Sequence, residues 1–171
     1  MKPARDLALK MHTVELIVEI FIKMWKIETA MLNKIDLTKE KSSKTLPIRS
    51  CSSSNIMECK IARLSKSSKE TISSICYALW SLSCGINGSG QDLFKQLHSD
   101  KVLTIISSIL AINDPKEIFM VEPVAGIVEQ CAQMPIFRQK LKKIRIVESL
   151  VSHIKTERLS LQIYSMKALH N

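Results

Sequence analysis

The chain has 171 residues, 46% apolar and 24% charged, enough for one real core and not the composition of a chain disordered throughout. Four glycines and five prolines are too few to punctuate an all-β protein of this length, so an all-α class is expected. The net charge of +9 is uneven: 14 Lys/Arg against 7 Asp/Glu in residues 1–69, 3 against 7 in 70–134 and 8 against 2 in 135–171, a basic–acidic–basic order that solubility explains better than nucleic-acid contact.

Residues 4–35 read as a long helix with Pro3 near its start. Leu7, Met11, Val14, Val18, Phe21, Ile22, Trp25, Met31, Leu32 and Ile35 recur at the 3.6 period. Glu15, Glu19 and Lys23 interrupt these apolar residues, which argues against a signal peptide. Residues 36–55 (DLTKEKSSKTLPIRSCSSSN) read as a polar Lys/Ser-rich loop that Pro47 keeps from being helical. Residues 56–65 read as a short helix with Ile56, Met57, Ile61 and Leu64 inward, and Ser67-x-x-Glu70 has capping-box spacing for the helix that follows.

Ile72–Ile86 carries no charge, so this helix is expected to be covered on nearly all sides and to organise the rest. The uncharged run Thr71–Gln91 has the length of a membrane span, but its serines, three glycines, Asn87 and Gln91 argue against one. After a break at Gly85, Gly88 and Gly90 come a short helix with Leu93, Phe94 and Leu97, a corner at Ser99–Asp100, and a helix from Val102 to Leu110. At the next turn Asp114 is the expected N-cap, Pro115 the first helical residue and Glu117 the reciprocal cap. That helix should run to about Met134, with Pro123 kinking it after Met120 or Val121. Helices at 136–143, 146–154 and 158–171 complete the chain, the last with its apolar face open, as in a piece of a longer repeat protein.

No enzyme chemistry, metal or cofactor is expected. Cys51, Cys59, Cys76, Cys84 and Cys131 are odd in number and form no C-x-x-C, which suits a reducing compartment. Cys76 and Cys131 lie in apolar helical patterns, where cysteine packs as a small hydrophobe. His12, His98, His153 and His170 are scattered and make no zinc motif. Cys84 with His98 would serve as nucleophile and base, but both read better as helix-end residues. The glycine-rich stretch Gly85–Gly90 follows a helix, whereas a phosphate loop follows a strand.

The order short helix, longer helix, turn, long helix occurs at 91–134 and again at 135–171, with a partial copy at 56–84; three helices per 40–45 residues is the armadillo/HEAT period. SICYALWSLSCG followed by DLFKQLHSDKVLTIISSIL resembles the armadillo family's third helix, glycine turn, first helix and second helix. LVSHIKTERLSLQIYSMKALHN resembles a second helix, turn and third helix. Over residues 56–171 the resemblance implies a right-handed α-superhelix of two to three repeats, with 1–35 as a helical extension. Within the family, Leu32–Asp36 followed by a polar loop and by Met134–Pro135 makes the order most similar to the armadillo region of Inscuteable-type adaptors. That implies a non-enzymatic scaffold in the cytoplasm or at the cell cortex, linking spindle-orientation and polarity complexes in asymmetric cell division. Its partner would be an extended peptide of a Bazooka-like scaffold. The alternatives are an armadillo/HEAT peptide-binding module of another pathway and a basic nucleic-acid-binding helical repeat.

Two departures stand out. Ser99 or Asp100 replaces the corner glycine, and the groove positions that hold Trp and Asn in importin-alpha hold Tyr77/Ser81, Gly126/Gln130 and Lys167/Asn171, so nuclear-signal binding of that kind is not implied. The expected groove residues are Tyr77, Trp80, Ser81, Gln130, Lys167 and Asn171. Ser81, Gln130 and Asn171 would pair with a ligand's backbone, Tyr77 and Trp80 would give apolar contact, and Lys167 would attract an acidic ligand. Trp80 has a second reading as a core residue.

Overall fold

Val14, Val18, Phe21 and Trp25 recur at i, i+4, i+7 and i+11, and all four are buried along one stripe of the first helix, α1 (Thr13–Glu40). The computed structural model describes residues 13–40, 64–84, 91–144 and 146–171. Expectations for residues 4–12, most of the polar loop and short helix, and the 85–90 turn lie outside the described residues. α1 runs through Asp36–Glu40, five residues beyond the expected loop boundary, because the first helix breaker after it is Pro47.

The second helix, α2 (Lys66–Ser83), begins two residues before the expected cap: Ser65, not Ser67, is the N-cap, its Oγ accepting from the Ser68 N–H at 3.1 Å. Ser68 replaces the glutamate of a capping box, and its own hydroxyl donates to Glu28 Oε1 on α1 at 2.7 Å, tying the cap to its neighbour. α3 (Gln91–Leu97) and α4 (Asp100–Leu110) meet at the expected corner, where the Ser99 hydroxyl accepts from the Val102 N–H. α4 buries Val102, Leu103, Ile105, Ile106, Ile109 and Leu110; its Ser108 hydroxyl donates to the Thr104 carbonyl within the helix.

Asp114 caps the next segment as expected, accepting from the Lys116 N–H at 2.9 Å with Pro115 in the first turn. Glu117 does not close a capping box. Its carboxylate reaches across to Lys69 on α2 at 2.6 Å, with both side chains nearly buried. Pro115–Glu117 forms one 3-10 turn, and α5 (Ile118–Ala132) follows without interruption at Pro123. Proline at 123 leaves the Phe119 carbonyl without its i+4 donor. The buried Ser73 hydroxyl of α2 donates to that carbonyl at 3.0 Å, so the group is satisfied and the helix continues. The break falls at Glu117, three residues before the expected kink.

α6 (Pro135–Lys143), α7 (Ile146–His153) and α8 (Leu159–His170) close the described structure, which is all-α with packed helices. α5 lies between α2 and α8 and packs most extensively against both, with α4 behind it. α1 covers α2, α3 and α4, while α6 and α7 pack together and against α5 and α4 respectively. Between the sets α3–α4–α5 and α6–α7–α8, α4 packs on α7 and α5 on α8. Polar ties join them: Lys140 Nζ donates to the His98 carbonyl and pairs with Asp100, and the Ser107 hydroxyl donates to the Ile144 carbonyl.

The helix buried on nearly all sides is α5, not α2. α2 is uncharged in its middle but turns Ser74, Tyr77 and Ser81 to solvent, and Ser74 bonds back to its own helix. Absence of charge is not apolarity; α5 is apolar in composition and flanked on both sides. No helix among the described residues is long and apolar enough to cross a membrane.

Candidate functional site

Glu122, Gly126, Glu129, Gln130 and Gln133 fall at three- and four-residue spacings and so share one face of α5. Gly126 leaves a gap in that face, and the Trp80 indole of α2 fills it. A Cβ on Gly126 would overlap the Cε2, Nε1 and Cδ1 atoms of the ring. Across α5, Trp80 meets Tyr164 of α8 edge-on, centroids 5.1 Å apart at 73°. On the other side it meets Tyr77 at 5.9 Å and 48°. The row Tyr77–Trp80–Tyr164 thus runs from α2 over Gly126 of α5 to α8; Trp80 and Tyr164 are half-buried and Tyr77 is 39% exposed.

Two carboxylates flank the row. Glu122 pairs with Arg158 at 3.3 Å. Glu129 is 8% exposed and accepts from two side-chain amides, Gln130 Nε2 at 2.5 Å and Gln133 Nε2 at 3.1 Å. Both tyrosine hydroxyls titrate above their ordinary range. For Tyr77 the causes are burial and then Glu122, with Arg158 opposing. For Tyr164 they are burial, then Glu122, Cys84 and Glu129.

The chain matches no family model, no curated protein and no solved structure.

Of the expected groove residues, Tyr77 and Trp80 come together in the aromatic row, and Gln130 lies one turn beyond Gly126 on the same face of α5. Ser81 is exposed one turn on from Tyr77. Lys167 is exposed, and its carbonyl accepts from the Asn171 side chain at 2.9 Å. The Asn171 carbonyl in turn accepts from Arg138 of α6 at 2.6 Å, so this residue ends α8 against α6. On α8 it is Tyr164, one turn before Lys167, that meets Trp80. Sequence reasoning missed Tyr164, Glu122, Glu129 and Arg158. Glu122 and Glu129 were legible in principle, being one turn either side of Gly126 on a single face; the pairing of Tyr164 with Trp80 has no sequence signal.

Elsewhere, a cleft of about 510 Å³ lies beside the Lys69–Glu117 pair, lined also by Leu64, Lys66 and Phe119. A second of about 320 Å³ lies between α3 and α6, where His98 packs edge-on against Phe137. Cys76 and Cys131 are buried free thiols; burial pushes Cys76 up to about 12 and Cys131 up as well, so both stay protonated and pack as hydrophobes. No group of three His, Cys, Asp or Glu suited to a metal occurs among the described residues.

Proposed function

We propose that the chain is a protein-binding adaptor of armadillo type that holds an extended peptide across the face shared by α2, α5 and α8. The observation that carries this reading is the aromatic row Tyr77–Trp80–Tyr164, which runs from α2 over Gly126 of α5 to α8, half open to solvent and edged by exposed or half-buried polar side chains. An aromatic anchor beside amide and hydroxyl groups suits a ligand that needs one apolar contact and several backbone hydrogen bonds. The stacked three-helix sets support a repeat architecture, as do the apolar residues exposed on α1 (Leu16, Ile20, Ile27, Met31) and on α7 and α8 (Val151, Leu159, Met166). In the Inscuteable-like form of this reading, the adaptor joins polarity and spindle-orientation complexes at the cell cortex through a Bazooka-like peptide. Tyr77→Ala/Ser81→Gln removes the exposed ring and replaces the neighbouring hydroxyl with a bulkier amide, both at exposed positions. Affinity capture with wild type and with this variant, at equal thermal stability, should give partner lists that differ by the groove-bound proteins. Identical lists would place the binding surface elsewhere.

A further inference from the structure

Lys167 alone argues for an acidic ligand, but the α5 side chains at the aromatic row argue for the opposite sign. Glu129 is withdrawn from water, and a carboxylate so placed is costly unless a cation or good donors face it. Its two oxygens are held only by the Gln130 and Gln133 amides, and no ion pair among the described residues includes it. Glu122, which acts on both tyrosines, is already paired with Arg158, and Lys167 is exposed one turn beyond Tyr164 on α8. Gln133 is exposed and Gln130 half-buried, so the amides form a covering that side-chain rotation can remove. Glu129 lies one turn from Gly126 on the face of α5 where the Trp80 indole rests, and Trp80 in turn meets Tyr164.

We propose that the Trp80–Tyr164 end of the row is a seat for one basic side chain, a lysine or arginine of an extended peptide. Its ammonium or guanidinium displaces the two amides from Glu129, and its stem lies along the Trp80 and Tyr164 rings, where the aromatic faces attract a cation. The inference rests on the peptide-groove reading and gives it a charge preference. Gln130 then has a different role from the one its sequence position suggests, standing in for the ligand's donor while the groove is empty.

The test uses the full chain and three labelled peptide pools that are randomised except at a central Arg, Gln or Glu, with binding followed by fluorescence anisotropy. The Arg pool should bind about 10-fold more tightly than the Gln pool, and the Glu pool more weakly still. Glu129→Gln should bring Arg and Gln pools within about 2-fold of each other. Gln133→Ala, which uncovers Glu129 at an exposed position, should tighten the Arg pool alone by about 2-fold, and this keeps the test open should Glu129→Gln fold poorly. Equal binding of the Arg and Gln pools, or preference for the Glu pool, overturns the inference. If in that case binding still falls in Tyr77→Ala/Ser81→Gln, the groove survives and only its charge preference is lost. Binding indifferent to that variant, or no binding of any pool, overturns both.

Discussion

Gly126 and Trp80 fit by subtraction: the residue on α5 supplies no side chain, and the indole from α2 occupies the room. Gly126→Ala gains about 1 kcal/mol of helix propensity but forces the ring to move, and overpacking of that kind costs about 1–3 kcal/mol. We expect net destabilisation of up to about 2 kcal/mol, with Trp80 emission shifted to the red. A Trp25→Phe background isolates the Trp80 signal for fluorescence and urea unfolding. Unchanged emission with a gain in stability would show that the ring does not rest on Gly126. Ser73 and Pro123 show the same dependence of one residue on a distant one. The Ser73 hydroxyl satisfies the carbonyl that Pro123 orphans, a group whose burial without a partner costs about 1–3 kcal/mol. A proline inside an apolar helix was legible in sequence. The expected kink was not found, because the compensating donor lies 46 residues away in the chain.

Between elements, the most consequential polar contact is made by His153 at the end of α7. Its ring is fully buried, Nε2 bonds the Leu110 carbonyl at the end of α4 at 2.7 Å, and Nδ1 has no partner. The carbonyl is an acceptor, so Nε2 carries the hydrogen and Nδ1 is bare. Burial lowers the His153 pKa below its ordinary value of 6.5, and the Leu110 bond opposes this only in part. The folded state therefore resists a proton that the unfolded chain accepts. The associated stability is complete above the unfolded pKa and is lost as pH falls from there toward the folded pKa, by at most about 1.4 kcal/mol per pH unit. His153→Gln keeps a donor for Leu110 but cannot titrate. Urea unfolding at about pH 7.5 and pH 5.5 should show wild type losing more stability than the variant. Equal losses would assign the pH dependence to other groups. The helix order and the Asp114 cap before Pro115 were legible from short-range chemistry, and the polar corner at Ser99–Asp100 marked where α4 begins, but the cap of α2 fell at Ser65 rather than Ser67. The partner of Glu117 was not, because a capping box and an ion pair to Lys69 make the same demand on sequence.

For the whole molecule, the net charge of +9 is a bulk property, while the face at the aromatic row is set by α5, from the acidic middle of the chain. Non-specific duplex binding should therefore be weak, with a Kd above about 10 µM at about 0.1 M salt. Sub-micromolar binding that collapses as salt is raised would favour the nucleic-acid rival instead. Among the described residues, the all-α class, the succession of helices and their boundaries to within one or two turns followed from the chain alone, since apolar period, proline and capping residues act over one or two turns. Which helix became the covered centre, and which side chains met across it, followed only from packing. α5 is enclosed because α2 and α8 flank it, and Trp80 reaches Tyr164 because Gly126 lets it pass. Those contacts join residues 46 and 84 positions apart, and no local pattern encodes a distance that only the stacking of helices closes.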